Sequence, residues 1–167
     1  MIHASVYLDV NVISALHYPG GSVLGRGRKT ATQQWWDLEK NQFETWVSEF
    51  GEKELRNGVY PGQSKAIAAI RRLRYLQFND EIQTVTEYFL EQSIIPKSAS
   101  GDAIHLAFAT CYKIDYLLSW NYAHLNNVEV QRKLTEACER KGWRRPILVS
   151  PETIPKMSLG QSVRRKP

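Results

Sequence analysis

Cysteine is scarce in this chain, with only Cys111 and Cys138 among 167 residues. Both fall in stretches that read as helix, and two thiols with four scattered histidines make neither a zinc cage nor a disulfide framework. Buried, inert thiols are the reading for both. Long apolar runs are missing as well. The longest, Ala103 to Leu118, is cut by His105, Lys113 and Asp115, so no membrane span is expected. No basic segment with an apolar stretch behind it precedes Tyr7-Leu8-Asp9, so no signal peptide is expected and the compartment is read as the cytoplasm. Nucleotide fingerprints are also lacking. Gly25 is followed by Arg26, which rules out GxxxxGK, and Gly25-Arg26-Gly27 lacks the third glycine of GxGxxG. Repeats and low-complexity segments do not occur.

What is present suits one compact domain. With 43% hydrophobic and 23% charged residues the composition is ordinary and globular, and a chain of this length hides roughly 70% of its unfolded surface. The net charge of +5 is unevenly spread. Four of the positive charges, Lys156, Arg164, Arg165 and Lys166, lie in an acid-free stretch, so the body before it is close to neutral at +1. The expected organisation is a domain over 1–155 and a basic tail over 156–167. A second basic cluster, Arg26, Arg28 and Lys29, falls in a glycine-rich segment over 17–32 that reads as a loop. Basic loops and tails suit a polyanionic partner; solvated charge is the alternative.

Ser5–Val10 reads as a buried strand containing a carboxylate, Phe43–Val47 as a second, Asp115–Trp120 as a third and Ile147–Val149 as a fourth. Helices are expected at 35–38, from Ser48 or Glu49, after Pro61-Gly62, over 81–92, from Ser98 or Ser100, and over 128–140 with Gly142 ending it. Strands separated by helices predict an α/β fold, a three-layer α/β/α arrangement around a parallel sheet of four or five strands.

In such sheets ligands sit outside the carboxyl ends of the strands. Asp9 closes the first strand, Glu49 follows the second, Asn121 follows Trp120, and Asp102 lies in the first turn of a helix. Acids gathered at one end of a sheet repel unless protons or cations intervene. Mg²⁺ or Mn²⁺, which take oxygen ligands and keep waters for phosphates, are the usual resolution, and a cation with a phosphodiester gives hydrolysis.

Asp9-Val10-Asn11-Val12-Ile13-Ser14, Ser48-Glu49, Asp102-Ala103-Ile104-His105-Leu106-Ala107 and Asp115 through Leu125 together resemble the PIN domain, and most closely the VapC-type toxins of toxin–antitoxin pairs. The resemblance extends to Val128–Gln131 and to Pro146–Glu152. It implies a Mg²⁺- or Mn²⁺-dependent ribonuclease leaving a 5′-phosphate, often a homodimer, silenced by a cognate antitoxin protein. By motif match Asp9, Glu49 and Asp102 fall on the family's metal-binding acids, with Asn121 completing the catalytic set. Many members carry a fourth acid at that last position; the amide keeps an oxygen and removes one negative charge.

Around these residues, Asn11 is placed either to orient Asp9 or a cation's water, or to form the turn after the strand. Ser119 is placed to bond substrate or a ligand, or to be satisfied at the strand end. Arg26, Arg28 and Lys29 are positioned to steer RNA phosphates toward the acids. His105 and His124 read as structural, Asp115 as a loop hydrogen-bonding residue, and Trp35, Trp36 and Trp46 as core or dimer surface. Trp120 and Tyr122 flank the site, with base stacking as a minority reading. The competing functional class is a PIN-like module that binds RNA or a partner protein without turnover.

Overall fold

The computed structural model describes residues 3–156. Five strands run β1 (Ala4–Leu8), β2 (Phe43–Ser48), β3 (Arg74–Leu76), β4 (Tyr116–Leu118) and β5 (Ile147–Val149). Between them lie α1 (Val10–His17), α2 (Val23–Leu38), α3 (Glu49–Arg56), α4 (Gln63–Ile70), α5 (Asp80–Glu91), α6 (Ser100–Cys111) and α7 (Val128–Lys141). The sheet order is β3-β2-β1-β4-β5, and every pairing is parallel. Alternate strand residues face opposite layers, as the pleat requires. Val6, Leu8, Val47 and Leu118 join Val12, Trp35, Leu55 and Ile70 of α1–α4 on one side. Tyr7, Leu76, Leu117 and Leu148 join Ile82, Phe89, Leu106 and Leu134 of α5–α7 on the other. The expected three-layer α/β/α arrangement is the one observed.

Three local expectations are corrected. The segment 17–32 is not one long loop: Ser22 caps α2 by accepting from the Gly25 N–H at 3.0 Å, and the helix runs sixteen residues through Gly25 and Gly27. Glycine weakens a helix by about 1 kcal/mol relative to alanine, but Thr32 and Trp35 on the inward face are fully buried and hold this one. Gly25 itself answers to a close approach, since a Cβ there would meet the Tyr18 ring at 2.8 Å and Ser22 Oγ at 2.9 Å. The second correction is β3, hidden in sequence behind Arg71, Arg72 and Arg74. It is a three-residue edge strand, and a charged side chain is a common way to protect such an edge. The third is the cap of α6: Ser98 or Ser100 is expected to cap it, but Ser100 is its first helical residue after a 3₁₀ turn and no side chain caps the end. Asn127 does cap α7, and Gly142 ends it in the left-handed region at φ 66°.

Asp115 does make the loop hydrogen bonds expected of it. Its Oδ2 accepts from Ser5 N at 2.8 Å and Ser5 Oγ at 2.9 Å, and its Oδ1 meets the Arg144 guanidinium, pinning β1 to β4 at their amino ends. No helix among the described residues is long and apolar enough to cross a membrane. The basic tail expected over 156–167 lies, beyond Lys156, outside the described residues.

Candidate active site

The connections from the central strand reverse direction between β1 and β4, and at such a switch point the loops diverge to leave a crevice. Asp9 follows β1 directly and Ser119-Trp120-Asn121 follow β4, so both walls of the crevice are set by the topology. The cleft there is about 550 Å³ and is lined by Asp9, Glu54, Asp102, His105, Arg28 and Trp120 among others.

Asp9 is buried, at 4% exposure. Its Oδ2 accepts from Asn11 Nδ2 at 2.7 Å and from Ser119 Oγ at 2.6 Å. Asn11 Oδ1 also accepts from Trp120 N at 2.8 Å, so one amide ties the end of β1 to the end of β4. Asn11 therefore takes the orienting role. Ser119 is buried at 1% exposure, and its hydroxyl is satisfied on Asp9 at the strand end.

Asp102 comes from the first turn of α6, half-buried opposite Asp9. Its Oδ2 accepts from Asn121 Nδ2 at 2.9 Å and is 3.0 Å from His124 Nδ1. Burial and the charge of Asp9 hold the Asp102 carboxyl above the usual carboxylate range, with His124 opposing them. Asn121 is thus brought to Asp102 as expected, but as a hydrogen-bond donor, while its Oδ1 accepts from His124 N at 3.0 Å.

Glu49 is not in the cleft. It is exposed on the outer side of α3, where its Oε1 accepts from Phe78 N at 2.6 Å and steadies the segment after β3. The third carboxylate of the cleft is Glu54. The two positions are five apart, about 140° round a helix, so they cannot share a face. Gly51 and Leu55 are the buried residues of α3, and Glu49, two places before Gly51, falls on the opposite side. Glu52, one turn after Glu49 on the same helix, is half-buried and pairs with Arg56 at 2.5 Å.

His105, one turn after Asp102 and 2% exposed, is drawn into the cleft floor. Its Nε2 donates to Glu54 Oε2 at 2.7 Å and lies 3.7 Å from Asp9 Oδ1. Its Nδ1 is 2.6 Å from the buried Tyr7 hydroxyl, itself 2.7 Å from Ser48 Oγ, the N-cap of α3. Burial pulls the imidazole down, but hydrogen bonding to Glu54 and the charges of Asp9, Glu54 and Asp102 outweigh it and hold the ring above its ordinary value. The i, i+3 spacing of Asp102 and His105 carried this signal in sequence.

The three basic candidates separate. Arg28 lines the cleft. Arg26 is exposed with a guanidinium donating to Gly21 O. Lys29 sits where its charge acts on His17 of α1. Trp120, 4% exposed with Arg28 over its ring, offers no open face to a base, whereas Tyr122 is 43% exposed. Trp35 is core, at 1% exposure.

No protein-family profile matches the sequence, and no curated protein matches it. Among solved structures, the chain is similar to VapC20 of Mycobacterium tuberculosis, a toxin that cleaves the sarcin–ricin loop. The TM-score is 0.54 at 16% identity, over 71% of this chain and 92% of that one. It is also similar to VapBC2 from Rickettsia felis, solved on a DNA fragment from its promoter, with a TM-score of 0.52 at 13% identity over 87% of this chain and 97% of that one. The chain shares the three-layer α/β/α fold of these VapC structures.

The resemblance to PIN domains implies a divalent cation, and the donor set here can be tested for it. Among the described residues no three His, Cys, Asp or Glu side chains form a ready-made cage. Yet each cleft acid spends only one oxygen on hydrogen bonds from the protein, Asp9 and Asp102 their Oδ2 and Glu54 its Oε2, with His105 Nε2 3.7 Å from the other Asp9 oxygen. The remaining oxygens are hard donors, and burial, with the Asp9 charge behind it, already holds the Asp102 carboxyl above its usual range, a cost that a cation beside it would relieve. Mg²⁺ asks for one or two carboxylates and keeps several waters. The residues fit a hydrated cation at an open site.

Proposed function

We propose that this chain is a Mg²⁺- or Mn²⁺-dependent endoribonuclease and the toxin of a toxin–antitoxin pair, acting in the cytoplasm as a homodimer and silenced by an antitoxin. The observation that carries the reading is the convergence of Asp9, Glu54 and Asp102 on one open cleft at the switch point of the sheet, each with an oxygen to spare. A cation held there supplies a nucleophilic water near neutral pH and neutralises charge on the phosphodiester. Asn11 and Ser119 fix the Asp9 carboxylate so that its free Oδ1 faces the cleft. His105 holds Glu54, and Asn121 with His124 holds Asp102, so the acids are oriented before substrate arrives.

Incubating the purified protein with single-stranded RNA and Mn²⁺, with and without chelator, tests this. Metal-dependent cleavage that Asp9→Asn removes is the expected result. A second reading, a PIN-like module that holds RNA or a partner protein without turnover, draws on the His105 imidazole already set against Glu54. It predicts binding with no cleavage under any metal.

A further inference from the structure

We propose that Arg28 is the phosphate clamp of this cleft, gripping a non-bridging oxygen pair of an RNA phosphodiester while the acids serve the cation. This rests on the ribonuclease reading and singles out one residue of the basic segment. The Arg28 guanidinium carbon lies 5.7 Å from the centre of the Trp120 ring. That ring is fixed: its Nε1 donates to Thr32 Oγ1 at 2.9 Å, one turn along α2 from Arg28, and its backbone N donates to Asn11. A guanidinium stacked on a ring keeps its N–H edge free, and that planar fork matches two phosphate oxygens at once.

Three carboxylates line the same cleft, yet among the described residues none comes within 4.0 Å of Arg28. Its Nε is buried with no acceptor. Arg26, tied to Gly21, and Lys29, on the α1 side, lack all of these features.

The test is binding of a labelled single-stranded oligoribonucleotide in EDTA across a salt series, for the parent, Arg28→Ala, Arg28→Lys and Arg140→Ala. Arg140 is an exposed cation in the last turn of α7, at the opposite end of the sheet, and serves as the charge-matched control. Arg28→Ala is expected to weaken binding about tenfold and to lower the slope of log affinity against log salt by about 0.7, one phosphate contact on a single strand. Arg28→Lys should restore the slope and not the affinity, because an ammonium neither forks nor stacks as guanidinium does; it also carries the test should the alanine variant fail to fold. Arg140→Ala should change neither. An Arg28→Ala protein with the parent's affinity and slope, or a parent with no salt-dependent RNA binding, overturns the clamp. The two readings fail separately. A parent that binds through Arg28 but never cleaves with Mn²⁺ keeps the clamp and sinks the nuclease; cleavage with an unchanged KM in Arg28→Ala does the reverse.

Discussion

Strands β1 and β4 are pinned to each other at both ends by an aspartate and a serine, and the two ends differ in what is left over. At the amino end Asp115 takes both Ser5 donors on one oxygen and the Arg144 guanidinium on the other. At the carboxyl end Asp9 takes Ser119 and Asn11 on one oxygen, and the other faces a cleft shared with Glu54 and Asp102. The same staple is electrically finished at one edge and unfinished at the other. Two strands need only the first kind to stay together. The second gathers three carboxylates round one cleft with only the His105 and His124 imidazoles against them, an arrangement that protons or cations complete.

The largest effects should come from the unfinished edge. Asp9→Asn, Asp102→Asn and Glu54→Gln are each expected to lower cleavage about a thousandfold or more, since a lost ligand removes several kcal/mol of charge stabilisation. Glu49→Gln, which changes only a contact to Phe78, should stay within about twofold of the parent. Rates measured on folded protein at saturating Mn²⁺ check this. Equal losses for Glu49→Gln and Glu54→Gln would dissolve the distinction between the two sides of α3.

That distinction shows where sequence reading stops. The layers, four of the strands, and the positions of Asp9, Asp102 and Asn121 were legible because apolar runs ending in polar residues mark strand ends directly. Glu49 was favoured because it stands next to the strand, but on a helix closeness along the chain is not closeness in space. The buried pair Gly51 and Leu55, four apart, held the answer and pointed to Glu54. The segment around Arg28 was misread for a related reason. Its glycines outweighed the i, i+3 spacing of Thr32 and Trp35, whose burial decides the helix. His105 reads as structural in sequence, where its i, i+3 spacing from Asp102 puts it near the cleft but nothing shows that it sits between Glu54 and Tyr7.

Chemical reactivity should divide along the same line. Cys111 ends α6, at the opposite end of the helix from Asp102, and burial with the nearby Glu81 charge pushes its thiol up to about 12. Burial pushes Cys138 up to about 11, against the opposing charge of Arg145. A thiolate fraction reduced roughly a hundredfold or more at pH 8 makes both slow nucleophiles. Alkylation of the native protein should be slower than that of the urea-unfolded chain by about that factor, and rise with pH only well above the usual thiol range. Fast labelling of either thiol at pH 8 would show that its helix opens readily.

A smaller effect is expected when the finished edge is broken. Asp115→Ala leaves Ser5 N–H, Ser5 Oγ and Arg144 without their acceptor, which should cost about 1–3 kcal/mol. The midpoint of thermal unfolding then falls by about 2–4 °C for each kcal/mol in a chain of this size. Cleavage per folded molecule should not change, because Asp115 lies at the far end of the sheet from the cleft. Loss of activity without loss of stability would mean that the two edges are coupled through β1 and β4.

Asn121→Asp tests whether the unfinished edge tolerates one more charge. The parent amide donates to Asp102 Oδ2 at 2.9 Å while its oxygen takes the His124 N–H. A carboxylate keeps the second bond and replaces the first with two oxygens in contact. Like charges at that distance disfavour ionisation of both, so in chelator the variant should melt a few degrees below the parent. Mn²⁺ screens the pair, and the variant should therefore gain more on metal addition than the parent does, closing most of the gap. Melting curves in EDTA and over a Mn²⁺ titration read this without any RNA. If the variant matches the parent in EDTA, the Asn121–Asp102 bond contributes little and the cleft is more open to water than its burial implies. If it stays lower at every Mn²⁺ concentration, the added carboxylate lies where no cation reaches, and the cation belongs on the Asp9 side of Asp102.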